Sequence, residues 1–245
     1  MVSKQFLKVQ EHVNEKFIEY IMPKHKIRAG VLRISKEILD ERITNLIIKD
    51  IMARKKVHML ELEECDISVE AFKIFKDKFK EMTRLLSIKF INVKLNIYKF
   101  VKILPESIKQ LYINSEIDDQ ELDKIINKVS KQKNIKYIGV RLNDDVSNNL
   151  INKIFELEHL KLLLFYGNEL DDNTFSQIIQ NLIKNNKLEN FGILYDNTYV
   201  NTQFMNSFIT IKTQNTTLKK RILKSRDKKI AQFLFENGID DELNY

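Results

Sequence analysis

The stretch VHMLELEECDI, residues 57–67, decides the fold. Its apolar residues fall at Val57, Leu60, Leu62 and Ile67, and Cys65, the chain's one cysteine, stands before the last of them. Leu60 and Leu62 alternate with Met59, Glu61 and Glu63. That period of two is the pattern of a short strand with one buried face. A single such strand has nothing to bury its apolar face against, so the question becomes whether the pattern recurs.

It recurs along most of the chain. LKLLLFYGNEL from Leu160 repeats every apolar position and puts Asn168 where Cys65 stood. LLSIKFINVKL from Leu85 keeps the apolar positions with Val93 in that slot. IKQLYINSEID from Ile108 and IKYIGVRLNDD from Ile135 keep the first three, with Asn143 in the slot of the second. LENFGILYDNT from Leu188 keeps three, with Asp196 in the slot, and LKKRILKSRDK from Leu218 is a marginal match because Arg221 replaces an apolar residue. The starts at 57, 85, 108, 135, 160, 188 and 218 lie 28, 23, 27, 25, 28 and 30 residues apart.

Between these stretches the apolar period changes to that of a helix. SVEAFKIFKDKFKEM places Val69, Phe72, Phe75 and Phe79 on one face. DDQELDKIINKV opens with Asp118 and Glu121 at capping-box spacing and continues into Leu122, Ile125, Ile126 and Val129. DDNTFSQIIQNLIKNN offers Phe175, Ile178, Ile179, Leu182 and Ile183.

The template L-x-x-L-x-L-x-x-(N/C)-x-L at a period in the twenties, with a helix after each strand, resembles the leucine-rich repeat and within it the ribonuclease-inhibitor-like branch. The resemblance implies an α/β class and a short solenoid: parallel strands in a curved sheet, helices on the convex side, and helical caps at both ends. It also implies that the residue in the Asn/Cys slot points inward and satisfies backbone groups in the turn after the strand, which makes Cys65 structural. The expected organisation is a capping helix over 1–26, the repeat domain over 27–225 and a capping helix with tail over 226–245. IRAGVLRIS followed by ILDERITNLIIKDIMA fits a degenerate first repeat.

Composition narrows the chemistry. One cysteine excludes an internal disulfide and a multi-thiolate zinc site and fits a reducing compartment. No apolar run reaches the roughly 18 residues of a bilayer span. The N-terminal stretch has no apolar core of a secretory signal, and Glu11, Glu15 and Glu19 argue against a transit peptide. An intracellular, cytoplasmic location is the expectation, with mitochondrial and secreted-effector settings open. His12, His25, His58 and His159 have no partner at a metal-ligand spacing, and no nucleophile elbow, P-loop or dinucleotide fingerprint occurs. The acidic pairs Glu63–Glu64, Asp118–Asp119, Asp144–Asp145 and Asp171–Asp172 follow strands or open helices, where carboxylates serve as caps. The chain is therefore expected to be neither an enzyme nor a cofactor carrier.

Two surfaces remain. Strand alternation turns three columns of side chains away from the core: Met59, Ser87, Gln110, Tyr137, Leu162, Asn190; Glu61, Lys89, Tyr112, Gly139, Leu164, Gly192; and Glu63, Ile91, Asn114, Arg141, Tyr166, Leu194. Their middle and late parts gather Tyr112, Tyr137, Arg141, Leu162, Leu164, Tyr166 and Leu194, a composition closer to an interface core than to a solvated face. These are the candidate contacts for a protein partner, and the resemblance implies a non-enzymatic interaction module, an adaptor or a subunit of a larger assembly. The second surface is electrostatic. The net charge is +7, and residues 218–229 carry seven basic residues against Asp227, so +6 of it. Lys219, Lys220, Arg221 and Lys224 are its candidate contacts with RNA or another anionic partner, against the plainer reading of a charged cap. The segment lacks interleaved aromatics for base stacking.

Overall fold

A computed structural model describes residues 30–53, 57–143, 146–167, 171–195 and 220–224. The proposed capping helices over 1–26 and 226–245, Asn168, Asp196, Lys219 and the pair Asp144–Asp145 lie outside them. The chain is α/β, and the described residues form two compact units.

The first unit covers the described residues up to 95 together with 103–107. Its strands β1 (Val31–Ser35), β3 (Met59–Glu63) and β5 (Ser87–Ile91) pair in parallel in the order β1-β3-β5. The register is constant: Val31, Met59 and Ser87 align, as do Arg33, Glu61 and Lys89. Residues at the same template position therefore become neighbours. Each strand ends in a bend at a residue with positive φ: Lys36 at 59°, Glu64 at 51° and Asn92 at 49°. Interstrand bonds hold the bends. Lys36 N–H donates to Glu63 O at 2.9 Å, and Glu64 N–H donates to Ile91 O at 2.7 Å. Past the bend the two-residue strands β2 (Ile38–Leu39) and β4 (Asp66–Ile67) pair in parallel, and Asp66 bridges to Lys94.

Helices α1 (Glu41–Ala53) and α2 (Val69–Lys78) follow. Asp40 Oδ1 accepts the Ile43 N–H at 2.8 Å and Ser68 Oγ accepts the Ala71 N–H at 3.1 Å, each satisfying a donor the helix start leaves open. Phe75 and Phe79 are fully buried with rings 5.1 Å apart, as their spacing predicts. Val69, expected on the same face, is 66% exposed. It is the first helical residue, before the helix has turned onto the core, and Ala71 takes the inward position.

The second unit covers 96–102 and the described residues from 108 onward. Its strands β6 (Gln110–Asn114), β7 (Tyr137–Arg141), β8 (Leu162–Gly167), β9 (Asn190–Tyr195) and β10 (Lys220–Lys224) pair in parallel in chain order. From β3 onward, each strand of this longer type begins two residues after a template start read from the sequence. Helices α3 (Ile97–Ile103, all but its last residue in this unit), α4 (Asp119–Val129), α5 (Asn148–Phe155) and α6 (Asp172–Lys184) alternate with the strands. Asp118, Ser147 and Asp171 cap the last three. Glu121 does not complete a reciprocal box. Its Oε1 accepts the Tyr98 N–H at 2.8 Å, so one helix's acid caps the preceding helix.

The core is the aliphatic face of the strands against these helices. Leu111, Ile113, Ile138, Val140, Leu163 and Phe165 are fully buried. Phe155 of α5 meets Phe165 and Phe191 at 6.1 and 6.2 Å between ring centroids, with the latter two 5.7 Å apart and edge to face. Such a cluster adds geometric preference to its buried area. In the first unit Leu60, Leu62 and Cys65 are likewise fully buried.

Candidate functional site

The inward slot residues carry structural chemistry, apart from the surface chemistry of the outward face. Cys65 Sγ donates to Glu63 O at 3.3 Å and to Ile34 O at 3.5 Å. Burial is the main influence on its thiol and raises its pKa. A buried, protonated thiol bonded to backbone is a cap and no nucleophile. Asn143 Nδ2 donates to Ile117 O at 2.6 Å, closing the turn of the preceding strand. The equivalent position after β6 holds Glu116, which turns the other way: its side chain is 84% exposed and Oε1 lies 3.8 Å from Arg141 Nη2. A carboxylate has no N–H to donate inward, so this repeat cannot use its slot as Cys65 and Asn143 do. The sequence carried that signal, a Glu where Asn or Cys is expected.

Within each unit the outward columns keep the predicted register. Tyr112 aligns with Gly139, Gly139 with Leu164, and Leu164 with Gly192. Arg141 aligns with Tyr166 and Tyr166 with Leu194. Tyr112, Tyr137, Arg141, Leu162 and Tyr166 are partly exposed on this face. Leu164, although its column points outward, is fully buried and so is not an exposed contact. Its register partner on β7 is Gly139. An ideal side-chain carbon on Gly139 would stand 2.6 Å from Tyr112 Cδ1 and 2.7 Å from Tyr166 Cε2, so both rings lean into the notch that Gly139 leaves. Tyr166, two residues along from Leu164, thus reaches over Gly139, the register partner of Leu164. Leu194 takes its place in β9, but its side chain lies outside what is described.

Charge borders this face at both ends. Arg141, with only 13% of its side chain exposed, marks the strands' C-terminal end. At the other end Lys161 pairs with Glu189 at 2.9 Å, and Glu189 with the nearby Tyr137 raises its pKa. In the first unit the outward strand positions carry a different cluster. Glu61, 5% exposed in its side chain, lies 3.0 Å from Arg33 Nη2 and 3.8 Å from Lys89 Nζ, an ionic contact without a directed hydrogen bond. Glu61 and Ser87 were expected outward in the columns, and both are buried at 3%. The flanking cations cover Glu61 and give its carboxylate the pairing that burial demands.

The basic segment divides. Lys220, Arg221 and Lys224 belong to β10, with Lys220 opposite Asn190, Arg221 opposite Phe191 and Lys224 opposite Leu194. Their side chains, like Lys219 as a whole, fall outside the described residues. The marginal template match from Leu218 thus forms a strand of the sheet.

No group of three His, Cys, Asp or Glu side chains among the described residues could hold a metal ion. His159 is half-buried, and burial first, then Lys136 and Lys133, lowers its pKa. Asp171 is held below the usual carboxylate range chiefly by the Thr174 backbone N–H, the signature of a helix cap. No helix among the described residues is long and apolar enough to cross a membrane. The sequence matches no protein-family model, and no curated protein resembles it significantly.

Proposed function

We propose that the chain is a leucine-rich-repeat-type solenoid that serves as a non-enzymatic protein-binding module, an adaptor or a subunit of a larger assembly. Its partner docks on the outward face of β6 to β9. The repeat reading is supported by the constant register within each unit, the strand–helix alternation, the shared positive-φ bend at Lys36, Glu64 and Asn92, and the inward caps at Cys65 and Asn143.

One observation carries the docking reading. Tyr112, Tyr137, Arg141 and Tyr166 lie on one face of adjacent strands, all partly exposed, above a fully buried Leu164. Tyr and Arg give large contact area at low entropic cost, and they dominate interface hot spots. Adjacent strands bring such side chains within about 5 Å of one another. The candidate contacts are Tyr112, Tyr137, Arg141, Leu162, Tyr166 and Leu194.

The test is photo-crosslinking in the native cell from position 137, with position 124 on α4 as the control, followed by affinity measurement on the captured partner. A protein crosslinked from 137 and not from 124 is the expected result. Tyr137→Ala with Tyr166→Ala should then weaken binding by over ~2 kcal/mol, about thirtyfold, with the fold intact. Neutralising Lys219, Lys220 and Arg221 should change it little at physiological salt. If the charge changes abolish binding and the tyrosine changes do not, the basic segment 219–229 is the contact, with RNA or another anionic partner.

A further inference from the structure

We infer that the docking segment of the partner presents a carboxylate beside large apolar side chains, and that Glu116 holds that carboxylate's place on Arg141 in the free protein. The inference rests on the docking reading above and adds the chemistry of what docks.

Arg141 is the one charged side chain at the outward positions of β6 to β9 within the described residues. It is also largely withdrawn from water, at 13% exposure. A guanidinium in that condition is favoured by an anion beside it, and its planar fork matches a carboxylate with two parallel hydrogen bonds. Its present counter-ion does not use that fork. Glu116 approaches one nitrogen at 3.8 Å, beyond hydrogen-bonding distance, from a side chain that is 84% in solvent. Pairs of that kind are weak and easily exchanged.

Glu116 stands in the slot that Cys65 and Asn143 use to bond backbone, and it makes no such bond. The apolar half of the seat adjoins Arg141. Tyr166 is its register partner, and the Tyr112 and Tyr166 rings meet over Gly139, two residues back along β7. A carboxylate on Arg141 thus places its neighbouring side chains over the tyrosines. Single-stranded nucleic acid fits less well. It brings a phosphate with every base, and the outward positions of β6 to β9 offer one cation within the described residues.

The experiment is selection of a random peptide display library on the full-length chain, then fluorescence anisotropy on the enriched peptides. Enriched sequences should carry Asp or Glu next to aromatic or branched apolar residues. Glu116→Gln, an exposed change that leaves the fold alone, should tighten their binding about threefold by removing the competitor. Arg141→Gln should weaken it about tenfold or more and erase the preference for Asp over Asn in the peptide. If peptides bind in a manner lost with Tyr137→Ala but are neutral or basic and indifferent to Glu116→Gln and Arg141→Gln, this inference falls and the docking reading stands. If no peptide is enriched, or enriched peptides ignore every substitution on the face, or a single-stranded RNA oligonucleotide binds there in a tyrosine-dependent way, both fall.

Discussion

Tyr112 and Tyr166 stand on strands separated by β7, yet both rings reach the point where a side chain at Gly139 would begin, at 2.6 and 2.7 Å. Contacts that short do not occur between real side chains, so Gly139 is what lets the two rings converge. Gly139→Ala should therefore force both tyrosines to shift and cost about 1–3 kcal/mol, as overpacking does. Denaturant titration reads the cost. In a Tyr112→Ala, Tyr166→Ala background the same change should be nearly neutral. An equal cost in both backgrounds would place the clash in the backbone and not in the rings.

The inward face makes a separate claim. Leu163 and Phe165 are fully buried, and Phe165 meets both Phe155 and Phe191. Leu163→Ala should cost on the order of 2–5 kcal/mol. Leu162→Ala, one residue away on the outward face, should cost under about 1 kcal/mol. A reversal of that order would mean that the alternation along β8 is wrong.

The strands were legible because burial demands an apolar residue at fixed positions, and every template start lies two residues before an observed strand. Less legible were features set by neighbours in space. Leu164 reads as an outward residue, yet it is fully buried beside the notch at Gly139 that the Tyr112 and Tyr166 rings enter. Val69 continues an apolar stripe, but it precedes the first helical turn that faces the core. Glu121 has capping-box spacing, yet Tyr98 from the preceding helix offers its N–H. The arginine and lysine that cover Glu61 come from strands 28 residues to either side, a pairing visible only once the register is known.

The bends after β1, β3 and β5 were hidden for a different reason. Lys36, Glu64 and Asn92 adopt positive φ without glycine, the usual marker of such a bend. At Glu64 the strain is compensated by the bond from its N–H to Ile91 O. Its side chain meets Lys36 only at 3.7 Å in an exposed pair. Glu64→Gly should therefore raise stability by about 0.5–1 kcal/mol, since relief of the left-handed backbone exceeds the added freedom of the unfolded chain. A loss of that size in thermal or denaturant unfolding would show that the side chain outweighs the strain.

The last prediction concerns pH. His159 lies half-buried, and burial, Lys136 and Lys133 all disfavour its charged form, so its folded pKa sits below the ordinary value of 6.5. The unfolded chain then binds a proton at this site more readily than the folded one. The associated stability is present in full above 6.5 and is lost as pH falls through the lower folded value. His159→Gln, which keeps a polar side chain of similar size without the titration, should remove that component. The difference in unfolding free energy between the wild type and the variant should be flat above neutrality. It should shift against the wild type as the pH falls below 6.5, before the carboxylates begin to titrate. A difference that stays constant through that interval would mean that folding leaves the imidazole's proton affinity unchanged.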